Sequence, residues 1–199
     1  MRAFNRFHEG YVHRRRTDVL ARHLAELVPA DMSVIDVGAG DGLITRKLAE
    51  ARRDLRIRAT EVLVRPAEHF PVEPFDGAHL EHGDGAFDVA LLVDVLHHAE
   101  DPLALLQEAA RVARRRVIVK DVLAEGLLAT RTLNLMERLA NTAHGISIPE
   151  VFWKCSEWEQ AFALAGLTVT ECRQSLGLYP FPASLVFERR FHFIAALRV

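Results

Sequence analysis

The sequence predicts an α/β domain, a mostly parallel sheet with helices on both faces. Three observations carry this expectation. Strand-like and helix-like segments alternate up to residue 166, as they do where crossover connections build a sheet. A glycine-rich turn, "VGAGDG", follows directly on the apolar strand pattern "SVIDV". Near the C-terminus, "LTVTECRQS" and "SLVFERRFHFIAAL" are strand-like with only a proline-containing loop between them. They predict an antiparallel pair at one end of the sheet.

The elements follow in order. In residues 17–28, Val19, Leu20, His23, Leu24 and Leu27 share one helical face, with Thr17 as a cap and Pro29 just beyond the end. Residues 33–37 form a buried strand, 42–53 a helix, and "LRIRATEV" (55–62) a second strand with alternating side chains. The stretch 63–85 reads as loops around a short third strand near Val72–Phe75. "AFDVALLVDVL" (86–96) is apolar on both faces, as a central parallel strand should be. Asp101 followed by Pro102 starts a helix that runs to about Arg114. "RVIVKDV" (116–122) is a fifth strand. Ser156 and Glu159 suggest a capping box for a helix that Gly166 ends. With no repeat and no linker, residues 1–199 read as a single domain: 1–30 are a helical N-terminal segment, and 123–154 are an insertion placed to cover a substrate.

Composition narrows the function. The chain has 199 residues, half of them apolar, and a formal net charge of −2. That is ordinary for a soluble globular protein and gives no broad nucleic-acid footprint. Arg14–Arg16 and Arg114–Arg116 read as solvated surface clusters. Two cysteines are too few for a disulfide framework and point to free thiols in a reducing, cytoplasmic setting. No stretch reaches the roughly 18 apolar residues of a membrane span. The expected partner is a small-molecule substrate, with neither nucleic acid nor membrane; a second copy of the chain, giving a homodimer, is compatible with the sequence.

A glycine-rich turn between strand and helix lets a ligand approach the backbone at the carboxyl edge of a parallel sheet. Glu61 ends the next strand, nineteen residues after Gly42. An acid there can accept hydrogen bonds from both ribose hydroxyls, so a nucleoside derivative is expected. A dinucleotide fits poorly. Gly38 and Gly40 match its G-x-G-x-x-G pattern, but position 43 is leucine, and Asp41 would repel a pyrophosphate. S-adenosylmethionine, with a sulfonium, an ammonium and no phosphate, tolerates acids such as Asp36 and Asp41.

At these residues the chain resembles the class I S-adenosylmethionine-dependent methyltransferases, of the type 11-like group with small-molecule acceptors. The likeness covers roughly residues 30–170. "DVGAGDG" matches the family's D/E-x-G-x-G-x-G loop, Glu61 its second-strand acid, and "FDGAHLEHGDGAFDVALLVDVLHHAEDP" its long stretch through the fourth strand. The resemblance implies a Rossmann-like seven-stranded sheet with the last strand antiparallel. It implies Asp36, Gly38, Ala39, Gly40, Gly42 and Glu61 around the cofactor, Asp76 and Gly77 at the adenine, and Asp94 and Val95 at the methionine end. The chain departs from the family pattern at Leu80-Glu81-His82, where Leu-Pro-Phe is frequent, and after Glu61, where Ser-Pro is frequent.

Methyl transfer is an in-line displacement governed by alignment and exclusion of water. A base is needed where the acceptor must lose a proton, and His97, His98 and His144 are the candidates. Asp121, at the end of strand five, is a substrate-contact candidate. Asp94, His97 and His98 raise the idea of a metal, but nothing further along the chain matches their spacing, and no metal is expected. The Pro-Pro-aromatic motif of nucleic-acid amino methylation is absent; the chain has "DVLH". The Lys-Asp-Lys-Glu tetrad of ribose methylation is incomplete: Asp94 and Lys120 could serve, but no lysine precedes Lys47. This leaves O- or N-methylation of a small molecule, with Phe152 and Trp153 as an apolar wall. The alternatives are a non-catalytic scaffold that binds the same cofactor and a nicotinamide-dependent oxidoreductase.

Overall fold

The computed structural model describes residues 2–64, 69–125, 152–181, 184 and 191–199. Helix α1 spans Arg2–Leu27, β1 Ser33–Val37, α2 Leu43–Ala51, β2 Arg56–Glu61, β3 Glu73–Pro74 and β4 Phe87–Val93. A 3-10 turn, Leu96–His98, leads to α3, Pro102–Val112, and β5, Ala113–Val122. Helix α4, Cys155–Leu164, and strands β6, Thr168–Gln174, and β7, His192–Arg198, complete the fold. Most of the expected cover, residues 126–151 with His144, lies outside the described residues.

The seven strands form one sheet in the order β3-β2-β1-β4-β5-β7-β6. β1 is parallel to β2 and β4, and β4 to β5, whereas β7 runs antiparallel to both β5 and β6. The expected Rossmann-like sheet and its antiparallel end are both present. β1 and β4 lie side by side at the middle, where the winding reverses, and an open α/β sheet binds ligands at the carboxyl ends of such strands.

Each face of the sheet has its own core. Val117 and Val119 of β5 face α3 and α4, with Leu106, Ala109, Trp158 and Phe162. Ile118 faces α1, with Leu20, Leu24 and Leu27. This alternation is the period of a strand, and it puts Lys120 on the α1 face and Asp121 on the other.

Three expectations are corrected locally. α1 begins far upstream of Thr17, whose hydroxyl donates to the Arg14 carbonyl (2.9 Å) from inside the helix. Residues 2–16 hold only five apolar residues, and the denser apolar face begins at Val19, which makes Thr17 look like a helix start. The capping residue of α4 is Glu157, not Glu159: its carboxylate accepts from the Lys154 N–H at 2.8 Å. The arginine runs are not merely solvated. Arg114 and Arg115 reach the buried Asp88, which also accepts from Ser33 N–H and Oγ, and Arg116 donates to the Leu27 carbonyl. The α3 start is as expected: Asp101 accepts from Ala104 N–H at 3.0 Å with Pro102 in the first turn.

Candidate active site

The loop after β1 is a chain of left-handed glycines, Gly38, Gly40 and Gly42, with φ of 72°, 62° and 74°. Two of them are closed to any side chain. A Cβ on Gly38 would lie 2.6 Å from Val95 Cγ2, and one on Gly42 would lie 2.8 Å from Phe70 Cβ. At Gly40 a Cβ would meet nothing within 4 Å; the space beside it is the pocket. Gly38 and Ala39 both donate to the Thr60 carbonyl at 2.9 Å, fastening the loop to β2.

The pocket is a cavity of about 960 Å³ over the carboxyl ends of β1, β2 and β4. Its walls include Gly38, Ala39, Gly40 and Glu61 at one side, Asp76 and Gly77 at the far end, and Asp94, Val95 and His98 opposite. Glu61 holds the loop together: Oε2 accepts from Gly40 N–H at 2.7 Å, and Oε1 from Val62 and Leu63 N–H at 2.8 and 3.2 Å. Asp76 Oδ1 accepts from Ala78 and His79 N–H, each at 2.7 Å. These backbone bonds hold its carboxyl below the usual range. Gly77 adopts φ of 89° beside it.

Two residues on the expected cofactor list do not line the cavity. Gly42 is backed by Phe70, and Asp36 lies beneath the loop, where its Oδ2 accepts from Thr45 Oγ1 at 2.5 Å. Burial pushes the Asp36 carboxyl up to about 6, against the Thr45 hydrogen bond, which lowers it.

The three expected catalytic residues come together, at different depths. His98 lines the pocket, and its ring centroid is 3.9 Å from that of His97. His97 and Asp121 are buried behind it, joined by a 2.6 Å hydrogen bond between Nδ1 and Oδ1. Burial and the neighbouring His97 push His98 down to about 4, so it is neutral at physiological pH. Phe152 stacks over the His97 ring at 6.2 Å. Trp153 is not among the residues that line this cavity: it meets Trp158 edge-on at 4.8 Å and packs against the main core.

Arg16 has no sequence signal beyond its place in a basic run. It lines the pocket and donates to Asp94 Oδ2 at 2.6 Å, with Thr17 and Leu20 of α1 beside it. Lys120 donates to the other Asp94 oxygen from a fully buried position. Asp94, His97 and Asp121 place one ligand atom each within 4.8 Å of one another. The His97 and Asp121 ligand atoms are bonded to each other, and Asp94 pairs with Arg16 and Lys120, so the trio forms part of a hydrogen-bonded ion-pair network.

A family model described as a methyltransferase domain matches residues 10–172. No curated protein matches the chain significantly. Solved structures share the fold. The methyltransferase in complex with the Haloferax volcanii Trm112 methyltransferase activator is 21% identical, with a TM-score of 0.68 over 99% of this chain and 95% of that one. A SAM-dependent methyltransferase from Thermotoga maritima is 22% identical, with a TM-score of 0.68 over 100% and 97%. The Burkholderia thailandensis 1,6-didemethyltoxoflavin-N1-methyltransferase, with 1,6-didemethyltoxoflavin and S-adenosylhomocysteine bound, is 17% identical, with a TM-score of 0.62 over 94% and 77%. The chain belongs to the methyltransferase domain family and is a class I S-adenosylmethionine-dependent methyltransferase. No helix among the described residues is long and apolar enough to cross a membrane.

Proposed function

We propose that the chain transfers the methyl group of S-adenosylmethionine to an oxygen or nitrogen of a small-molecule acceptor. The observation that carries this reading is a single cavity with Glu61 and the open backbone of Gly40 at one wall and His98 at the other. In this reading Glu61 takes the ribose hydroxyls, and Asp76 with Gly77 meets the adenine. Gly38, Ala39 and Gly40 admit the cofactor against bare backbone, while Asp36 braces the loop through Thr45 and α2. At the amino-acid end, Asp94 suits the ammonium and Arg16 the carboxylate.

The sulfonium supplies the reactive methyl group, so the protein has only to align and shield it. His98 faces the acceptor side as a neutral imidazole able to accept a hydrogen bond. An oxygen acceptor becomes a strongly acidic protonated ether as the methyl arrives, and it yields its proton even to a weak base. His97, anchored by Asp121, packs tilted against the His98 ring and so fixes its orientation. The 1,6-didemethyltoxoflavin-N1-methyltransferase of the same fold acts on a small molecule, which supports the acceptor class. A structure of the same fold is in complex with the Trm112 methyltransferase activator, and the assay therefore includes cell extract as well as purified protein.

The test is transfer of labelled methyl groups into the small-molecule fraction of extract, by wild type and by Gly40→Arg, whose side chain would fill the pocket. Label entering small molecules with wild type alone is expected. Label entering only macromolecules would replace the acceptor class, and equal transfer by both proteins would remove this cavity from the reaction.

A further inference from the structure

Lys120 lies outside the pocket and is nevertheless wired to it. It is fully buried among the apolar side chains that face α1. A buried ammonium is costly unless it is paired and hydrogen-bonded. Lys120 Nζ donates to Asp94 Oδ1, and His192 Nδ1 lies 3.4 Å away. His192 stands opposite Val122 in the β5–β7 ladder and is itself buried. An ammonium can only donate, so the facing Nδ1 must be the acceptor and His192 keeps its proton on Nε2.

Lys120 grips Asp94 a second time through the backbone. Its carbonyl accepts from Asp94 N–H at 2.8 Å. That bond fixes the peptide where Asp94 adopts φ of 56°, a left-handed conformation unusual for a residue with a side chain. The free oxygen of the carboxylate then points to Arg16 of α1. Of His192, Lys120, Asp94 and Arg16, only the last two line the cavity.

We propose that Lys120, seated against His192, is a positioning residue for methyl transfer: it holds the Asp94 carboxylate ionised and oriented at the pocket wall and, through it, aims Arg16. An apolar residue would pack at this position at lower cost, but it could not hold a charge at the pocket edge. The proposal rests on the cavity being the cofactor site. Asp94 is faced by Arg16 from α1, Lys120 from β5, and His97 and His98 from the 3-10 turn, with Asp121 and His192 behind them.

The test titrates Asp94 by carbon-13 NMR of aspartate-labelled protein down to the lowest pH at which the protein stays folded, and measures S-adenosylhomocysteine affinity from pH 5 to 8. In wild type the Asp94 carboxyl should stay ionised throughout and affinity should show no Asp94-linked loss. Lys120→Met should raise the Asp94 midpoint by about one unit or more. It should also weaken binding on the order of tenfold, more at pH 5 than at pH 8. Asp94→Asn and the Lys120→Met/Asp94→Asn double variant complete a cycle. Asp94→Asn alone strands the buried Lys120 ammonium, whereas in Lys120→Met the carboxylate keeps Arg16 and the double variant leaves no unpaired buried charge, so these two can fold even if Asp94→Asn does not. If Lys120 acts through Asp94, the double variant binds no more weakly than Asp94→Asn alone. An unmoved Asp94 midpoint in Lys120→Met, or additive losses in the cycle, would overturn the proposal. Failure of wild type to bind S-adenosylhomocysteine would instead refute the cofactor site, and the Asp94 titration would still decide whether Lys120 holds that carboxylate.

Discussion

Glu61→Gln separates what this carboxylate does for the loop from what it does for the cofactor. Glu61 accepts three backbone hydrogen bonds, one through Oε2 and two through Oε1. A glutamine offers one carbonyl oxygen and turns an NH2 toward the other set of donors. Either Gly40 N–H or the Val62 and Leu63 pair then loses its acceptor. Hydrogen bonds to a charged group contribute roughly 1.5–3 kcal/mol each, and Glu61 is only half-buried, so the apo-protein should lose about 1–2 kcal/mol. For a domain of this size that is a fall of roughly 2–8 °C in Tm. The cofactor should lose more, because both ribose hydroxyls lose a charged acceptor; a deficit of roughly 1.5–3 kcal/mol weakens binding about 10- to 150-fold. Calorimetry with S-adenosylhomocysteine and with its 2′-deoxy analogue reads the ribose contribution directly. Wild type should discriminate between the two ligands, and Glu61→Gln should discriminate much less. Affinity within twofold of wild type, or undiminished discrimination in the variant, would refute the ribose role.

The other predictions concern the surroundings of that loop. Asp36→Asn should stabilise the protein above about pH 6 and not below pH 4, since a carboxyl raised from 3.8 to about 6 makes the folded state less stable as pH rises through that window; the gain is at most roughly 3 kcal/mol, and equal melting curves at pH 8 would contradict it. Gly38→Ala should cost roughly 2–4 kcal/mol of stability, from a left-handed φ and the clash with Val95. Gly40→Ala should lose only the backbone part, with its larger effect on cofactor affinity; the reverse ranking in paired melting and binding measurements would move the pocket elsewhere. Trp153→Ala should lower stability by about 1–3 kcal/mol and leave cofactor affinity intact, because its ring packs on Trp158; a turnover defect at unchanged Tm would return it to the acceptor wall. If His98 is the base, its lowered value puts the acid limb of kcat near pH 4, and a limb at pH 6.5 would assign the proton to another group.

The sequence by itself determined the class of fold, the cofactor it uses and the glycine-rich turn after β1. Strand β4 is apolar on both faces because both faces are buried, and the β1 loop is glycine-rich because its backbone turns left-handed three times and Val95 and Phe70 leave no room for side chains at two of those turns. Such constraints are local, so they are written in consecutive residues. Depth was not legible: Asp36 belongs to the loop motif, yet it sits under the loop on Thr45, and Trp153 and Phe152 are chain neighbours with different surroundings. The ionic wiring was legible least of all. Arg16, Asp94, Lys120 and His192 come from α1, the turn after β4, β5 and β7, and they meet only because α1 docks on one face of the sheet while β7 runs back antiparallel against β5. An arginine in a basic run and a lysine in a strand look like surface residues in one dimension. Burial in three dimensions denies those charges solvent, and the partners that then satisfy them are set by the packing of distant segments.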